Sequence, residues 1–275
     1  MINPYTAEAA TLVRNNFESD DRAIKTIYLE FKNGKKMEYI PGQFCELSVF
    51  GKGEAPFGIA SSPTEEGKVL EFTANRAGLV TKALHETEIG EEIGIRGPLG
   101  NGFPISKFTH HNLVIIGGGF AFTTLRSLLV FALHNRSDFG NIDVIYGARE
   151  PGLLMYKNEF KKWRERDDVN IYLTVDKEFP GWKGRVGFVP QVVGEIAPSE
   201  KDAYAVICGP PVMINLTLPV MLKLGFARDK IYTSLEKRMK CGIGKCGRCN
   251  IGSKYVCKDG PVFSFAEIEE LPEER

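Results

Sequence analysis

Four of the chain's six cysteines fall within its last 35 residues, as Cys241-Gly-Ile-Gly-Lys-Cys246-Gly-Arg-Cys249 followed by Cys257. Thiolates are soft anionic ligands, and four of them from one short loop suit a metal centre. The opening C-x4-C-x2-C spacing is that of plant-type ferredoxins, so the run reads as a [2Fe–2S] site ligated by Cys241, Cys246, Cys249 and Cys257. Gly242, Gly244 and Gly247 give the backbone the freedom that closely spaced ligands demand. Between positions 237 and 258 stand Lys237, Arg238, Lys240, Lys245, Arg248, Lys254 and Lys258 and no carboxylate, in a chain whose 35 Lys and Arg balance 35 Asp and Glu. A tetrathiolate cluster is anionic, and this local excess offsets it. The same excess suits tuning of the cluster potential or docking of an acidic partner face. Zinc also takes four thiolates and stands as the alternative. Zinc ribbons usually present two separated C-x2-C pairs, whereas here three ligands share nine residues, so the spacing favours iron–sulfur. The N-terminus, Met-Ile-Asn-Pro-Tyr-Thr-Ala-Glu, lacks a cationic stretch followed by an apolar one, so the expected location is cytoplasmic, with reduced thiols.

The elements that must position this loop read in three sections. A chain of 275 residues, 43% hydrophobic and 25% charged, has room for two domains and a small appendage. In residues 1–108, short alternating segments such as Ala23–Phe31, Gly42–Phe50 and Val69–Ala74 predict a β-barrel, interrupted by one helix over Leu79–Glu86. In residues 109–235 the apolar strands Leu113–Ile116, Ile142–Tyr146, Val169–Val175 and Ala203–Cys208 alternate with helical stretches, one running to about Leu133 and one near 153–165. That texture predicts an α/β doubly wound parallel sheet. Residues 236–275 form the small C-terminal cysteine loop and tail, too short to own a core, with Glu267–Glu274 expected as a solvated end. Apolar runs such as Leu128–Leu133 fall far short of the roughly 20 residues that cross a bilayer, so no direct membrane insertion is expected. Zero formal net charge argues against nucleic acid as a partner.

Strand Leu113–Ile116 runs into Gly117-Gly118-Gly119-Phe-Ala121 at the first βα turn, where glycines let a pyrophosphate approach the N–H groups of a helix start. The run departs from G-x-G-x-x-G, and a tight turn serving packing alone is the plain alternative. Cys208-Gly209-Pro210-Pro211 ends a later strand on the same carboxyl edge, where ligands of open α/β sheets bind. A strand-end cysteine is otherwise an ordinary small core residue. His85, His110, His111 and His134 pair with no motif residue and read as surface or packing positions.

A barrel, an α/β section with Gly-Gly-Gly near its start and Cys-Gly-Pro-Pro near its end, and a four-cysteine tail together resemble the ferredoxin–NADP reductase-like family. Within it, the electron-transfer subunits of anaerobic sulfite reductase, sulfhydrogenase and dihydroorotate dehydrogenase are the nearest in pattern. The resemblance spans nearly the whole chain and is most specific at Pro41–Phe44, Gly53–Ser61, Gly78–Thr81, Arg96–Gly100, Tyr146–Arg149 and Lys245–Pro261. It implies FAD held by Pro56, Phe57, Gly58, Ile59, Ala60 and Ser61, which match a motif usually written Arg-x-Tyr-Ser. It also implies a flavin diphosphate on the turn Gly78, Leu79, Val80 and Thr81. Ala55, Phe57 and Gly58 stand where many members have Arg, Tyr and Ser, so one charge-assisted phosphate contact is missing and the Gly78–Thr81 turn matters more. NAD(P)H is implied at Gly117, Gly118, Gly119, Ala121, Arg149, Cys208, Gly209 and Pro210, with Cys208 beside the nicotinamide as the catalytic position. Arg149 suits a 2′-phosphate and Glu150 a ribose hydroxyl; the reading leans to NADH. The implied activity is an NAD(P)H-dependent oxidoreductase subunit that passes electrons between nicotinamide, FAD and [2Fe–2S] cluster. Its partners would be catalytic and iron–sulfur subunits of a larger complex of hydrogenase, sulfite reductase or heterodisulfide reductase type. The cofactors carry such chemistry, so no acid–base dyad is needed. A non-enzymatic redox sensor and a zinc-stapled scaffold are the competing readings.

Overall fold

The computed structural model describes residues 3–272. The first part holds β1 (Glu8–Phe17), β2 (Ile24–Phe31), β3 (Phe44–Val49), β4 (Gly53–Gly58), β5 (Leu70–Asn75), α1 (Leu79–Glu86) and β6 (Glu92–Leu99). These strands pair antiparallel in the order β4-β3-β6-β1-β2-β5, and a bridge between Ile59 and Phe72 joins the two ends into a barrel. Alternate side chains point inward, as the period of two requires, so Leu12, Ile27, Leu29, Leu47, Phe72 and Ile93 fill the interior. Leu84 of α1 packs into the same core.

After a short helix α2 (Ile105–Phe108), the second part runs β7 (Asn112–Gly118), α3 (Phe122–His134), β8 (Ile142–Ala148), α4 (Lys157–Trp163), β9 (Asn170–Val175), β10 (Arg185–Val186), α5 (Val189–Ile196), β11 (Ala203–Cys208), α6 (Pro211–Lys223) and β12 (Ile231–Ser234). Its strands are parallel, in the order β10-β9-β8-β7-β11-β12, with separate cores on the two faces. Sequence order reverses between β7 and β11, and there Cys208 lies in register with Gly117. The two nucleotide motifs therefore meet at the switch point of the sheet. Helix α4 begins later than the periodicity of 153–165 predicts. Tyr156 is held at φ 53° by its hydroxyl bond to Thr73 of the barrel (2.8 Å) and by donation from its N–H to Glu18 (2.9 Å).

The third part comprises β13 (Asn250–Ile251), β14 (Lys254–Tyr255), α7 (Val256–Asp259), β15 (Val262–Ser264) and α8 (Phe265–Glu269). Strand β15 pairs antiparallel with β12 and so becomes the seventh strand of the nucleotide-side sheet. In the acidic tail Glu267, Glu269 and Glu270 are exposed, as expected of a solvated end, but the segment is ordered. The Ser264 hydroxyl accepts from the Glu267 N–H while the Glu267 carboxylate accepts from the Ser264 N–H, so a capping box starts α8. Phe265 is buried and Glu269 pairs with Arg228. Glu273 and Glu274 lie outside the described residues.

Candidate functional site

A cleft of about 400 Å³ opens where barrel, sheet edge and cysteine segment meet. It gathers Pro56, Phe57 and Gly58 of β4, Thr81 of α1, Ala121 before α3, and Cys208 at the end of β11. The barrel and α3 are locked together behind it. Arg126, 3% exposed, donates to the Ala60 carbonyl at 2.8 Å and meets Glu71 at 2.9 Å, Glu65 at 3.1 Å and Glu159 of α4 at 2.6 Å. The Ser127 hydroxyl donates to the Ser61 carbonyl at 2.6 Å. Such buried, multiply satisfied ties hold the cleft walls in one relative position.

The remaining expected flavin positions divide. Ile59 and Ala60 are buried beneath the cleft, and the Ser61 hydroxyl accepts from the Tyr39 hydroxyl and the Glu71 N–H, so these side chains support the strand instead of facing the cavity. Leu79 is exposed and Val80 packs on the barrel core. The Thr81 hydroxyl accepts from the N–H groups of Ala77 and Gly78, organising the turn at the head of α1. Gly78 has open space where a Cβ would stand.

The three glycines after β7 do different work. A Cβ on Gly117 would lie 2.5 Å from the Phe122 ring, and one on Gly118 would lie 2.3 Å from Met213 Sδ, so both serve close packing of helix against strand. Gly119 is at φ 54° with nothing within 4 Å of a Cβ, which leaves it as the residue facing open space before the α3 N-terminus. Gly209 likewise packs against Met213, at 2.4 Å, and Pro210 borders the Gly118 position at 3.2 Å. Burial pushes the Cys208 thiol up to about 12, so the group stays a neutral thiol in the cleft wall. Arg149 and Glu150 lie apart from this cleft, exposed at the end of β8; Arg149 faces Asp176 and Asp21.

The cysteine loop sits on the far side of one shared wall. Phe44, Leu235 and Met239 line the cleft and also belong to the apolar cluster containing Cys241, Cys249 and Cys257. The thiols come as two contacting pairs, Cys241 with Cys246 and Cys249 with Cys257. Gly242, Gly244 and Gly247 are at φ 68°, 70° and 72°, and this lets main-chain N–H groups turn toward sulfur. Gly244 donates to Cys257 Sγ at 3.1 Å and Lys245 to Cys241 Sγ at 3.2 Å. Burial works to raise the Cys241 thiol, but the amides of Ile243, Cys246 and Lys245 outweigh it and bring it down to about 6. Burial and the neighbouring Cys249 push Cys257 up to about 12. Cys249 and Cys257 are buried and Cys246 is exposed, so one pair faces the protein and the other reaches the surface.

Residues with no role assigned from the sequence dock the loop. Leu99 packs where a Gly242 Cβ would stand, at 2.6 Å, and the Gly260 carbonyl would lie 2.7 Å from a Cβ on Gly100. The Asn101 side chain donates to the carbonyls of Asp259 and Val262 and accepts from the Val262 N–H. Arg96 donates to the Cys241 carbonyl at 2.8 Å. The whole stretch Arg96–Asn101 is thus the seat of the cysteine segment. A charged side chain in the middle of β6, between Ile95 and Gly97, was the signal available in the sequence.

Comparison with known proteins agrees with this three-part layout. Residues 9–103 match the oxidoreductase FAD-binding domain, 115–218 the oxidoreductase NAD-binding domain, and 236–269 the iron–sulfur cluster binding domain of dihydroorotate dehydrogenase B. Sulfhydrogenase 1 subunit gamma of Pyrococcus furiosus is 39% identical over 86% of this chain and 83% of its own length. A probable dihydroorotate dehydrogenase B (NAD(+)) electron transfer subunit of Thermococcus kodakarensis is 36% identical over 86% of this chain and 90% of its own. The chain belongs to this family of electron-transfer subunits. In fold it is similar to an NADH-dependent reduced ferredoxin–NADP oxidoreductase, with a TM-score of 0.75 at 24% identity over 99% of this chain and 91% of the other. A ferredoxin reductase of carbazole 1,9a-dioxygenase superposes with a TM-score of 0.69 at 20% identity, over 83% of this chain and 68% of the other. Like its family, the chain is a flavin- and nicotinamide-dependent oxidoreductase with an iron–sulfur binding region. The paired thiols, the N–H donors aimed at sulfur and the surrounding cations all suit an anionic iron–sulfur centre. No helix among the described residues is long and apolar enough to cross a membrane.

Proposed function

We propose that this chain exchanges electrons between NADH and a catalytic partner subunit in the cytoplasm, with FAD in the cleft and a [2Fe–2S] cluster on Cys241, Cys246, Cys249 and Cys257. The observation that carries the reading is the shared wall: Phe44, Leu235 and Met239 separate the cleft from the thiols by one layer of side chains. Bound FAD supplies the exchange between two-electron and one-electron chemistry, and the iron–sulfur centre holds single electrons. The protein's part is placement and exclusion of water. Phe57, Gly58 and Thr81 would bound the flavin, while Gly119 and the head of α3 offer N–H groups to a diphosphate. Cys208, kept neutral, gives the nicotinamide side an uncharged wall. The C-x4-C-x2-C spacing, with three of the thiols in one nine-residue loop, supports an iron–sulfur centre over a single zinc.

Preference for NADH is supported by the end of the sheet. Carboxylates Glu150 and Asp176 flank Arg149, so a 2′-phosphate there would meet two negative groups. Beside it, a second cleft of about 590 Å³ presents Glu150, Phe179 and Trp182, flat and acidic surfaces suited to an adenosine end. Partners of hydrogenase, sulfite reductase or heterodisulfide reductase type fit the same module, and electron flow in either direction is compatible with it.

Anaerobically purified protein tests this reading. Flavin, iron and acid-labile sulfide are quantified, and flavin bleaching is followed with NADH and with NADPH. The expected result is FAD, two irons and two sulfides per chain, with kcat/KM higher for NADH. Colourless protein with one zinc, or flavin inert to both nicotinamides, would overturn it.

A further inference from the structure

Arg96 is only 5% exposed, and its guanidinium joins three parts of the molecule. On one side its Nε and Nη2 donate to the two carboxylate oxygens of Glu54 on β4, at 3.4 and 2.5 Å. On the other, Nη1 donates to the carbonyl of Cys241 at 2.8 Å and to that of Pro4 at 3.3 Å. Glu54 begins the strand turn that leads to Pro56, Phe57 and Gly58 in the cleft. A single side chain therefore spans from the flavin-side strand to the main chain of a thiol ligand.

An ion pair alone would not require this placement. Burying a guanidinium costs several kcal/mol unless its N–H groups are well satisfied, and Glu54 accounts for only part of the fork. The remaining donors are given to neutral carbonyls, which a neutral side chain would serve at lower desolvation cost. A guanidinium adds two things at that position. It adds a planar, rigid fork, and it adds a charge that is never titrated away. Arg238, Lys240, Lys245, Arg248, Lys254 and Lys258 around the loop are exposed, so water and salt screen them. Arg96 is buried and acts through protein. Glu54, with 29% of its side chain exposed, is partly solvated and, together with the buried Glu46 beside Arg96, offsets that charge only in part.

We propose that Arg96 is a positioning residue for the iron–sulfur centre: its fork fixes the Cys241 main chain against β4, and its buried charge raises the centre's reduction potential. The proposal rests on the cluster reading given above and adds the residue that sets the centre's place and poise.

Three variants of the full chain, purified without oxygen, test it. Iron and FAD content are measured first, and the midpoint potential is read by EPR-monitored titration. Release of iron to a chelator and bleaching of flavin by NADH complete the set. Arg96→Met removes fork and charge: the one-electron equilibrium should shift roughly tenfold toward the oxidised centre, about 59 mV, with faster iron release and unchanged flavin bleaching. Arg96→Lys keeps the charge and loses the fork: the potential should hold near the wild-type value while iron release still accelerates. Glu54→Gln leaves Arg96 less compensated and should move the potential upward, which keeps the test decisive where Arg96→Met folds poorly. An unchanged potential in Arg96→Met or a downward shift in Glu54→Gln would overturn the electrostatic role. Wild-type iron release in both Arg96 variants would overturn the anchoring role. Wild-type protein without iron would instead remove the cluster reading, and it is seen before any variant is made.

Discussion

The cleft and the cysteine loop share a wall but are built by opposite means. The cleft lies between two extensive apolar cores, and its walls are strands, a helix start and a buried arginine with four partners. Its shape follows from packing that exists before any cofactor arrives. The loop has a small apolar cluster in which Phe44, Ile251, Val256 and Phe263 surround two of the proposed ligands, Cys249 and Cys257. Much of what orders it is polar: N–H groups aimed at sulfur, Asn101, Arg96, and cations whose repulsion an anionic iron–sulfur centre would offset. Preformed cavities accept a ligand with little change, whereas a ligand-built loop couples its order to its metal.

If that contrast is right, damage on one side of the wall should leave the other standing. Cys249→Ser should have the largest effect, exceeding the ~10–100-fold cost typical of changes outside the ligand set. Iron is expected to be lost and electron delivery to any downstream acceptor to stop, with FAD content and NADH bleaching retained; parallel loss of bleaching would show that the regions are not independent. Gly118→Val attacks the cleft side, where its Cβ would stand 2.3 Å from Met213 Sδ. A loss of about 1–3 kcal/mol in urea unfolding is expected, with a raised KM for NADH and normal iron content.

Glu46 sharpens the comparison, since it is a 1% exposed carboxyl beside Arg96 with Oε1 unpartnered, and burial pushes it up to about 7 from an ordinary 4.5. The folded chain binds this proton more tightly than the unfolded chain, so the contribution to stability is full below about pH 4.5 and is lost as pH rises through 7. Glu46→Gln should therefore gain on the order of 2 kcal/mol over wild type at pH 8 and little at pH 5. Parallel pH curves for the two proteins would refute this. The smallest effect belongs to the exposed collar. Lys245→Glu with Arg248→Glu should slow NADH-driven reduction of anionic ferricyanide a few-fold at low salt and quicken that of cationic hexaammineruthenium. Both differences should vanish near 1 M salt, where the Debye length is about 3 Å. Equal salt dependence in variant and wild type would leave the collar without a docking role.

Features carried by neighbouring residues were open to a reader of the sequence. The C-x4-C-x2-C run, the alternating barrel strands and the Gly-Gly-Gly turn all declare themselves within ten or so positions, and the structure contains each element. The capping box of Ser264 and Glu267 had the same local character and was passed over because the acid run around it resembles a tail. Other features were hidden. The sequence left the glycine turn open between a phosphate role and packing, and only the fold shows that Phe122 and Met213 occupy the missing side chains of Gly117 and Gly118. Ser61 likewise looked available to a flavin until Tyr39 and the Glu71 N–H claimed its hydroxyl.

By itself the sequence determined the cysteine spacing and the order of the three parts, because closing a nine-residue loop or alternating a strand depends on adjacent residues and little chain entropy. Tertiary structure alone decided that Cys208 lies beside Gly117, that Phe44, Leu235 and Met239 form one wall with two faces, and that Arg96 reaches Cys241 across 145 positions. Those contacts join segments remote along the chain. Only the reversal of strand order and the return of β15 to the sheet bring them together.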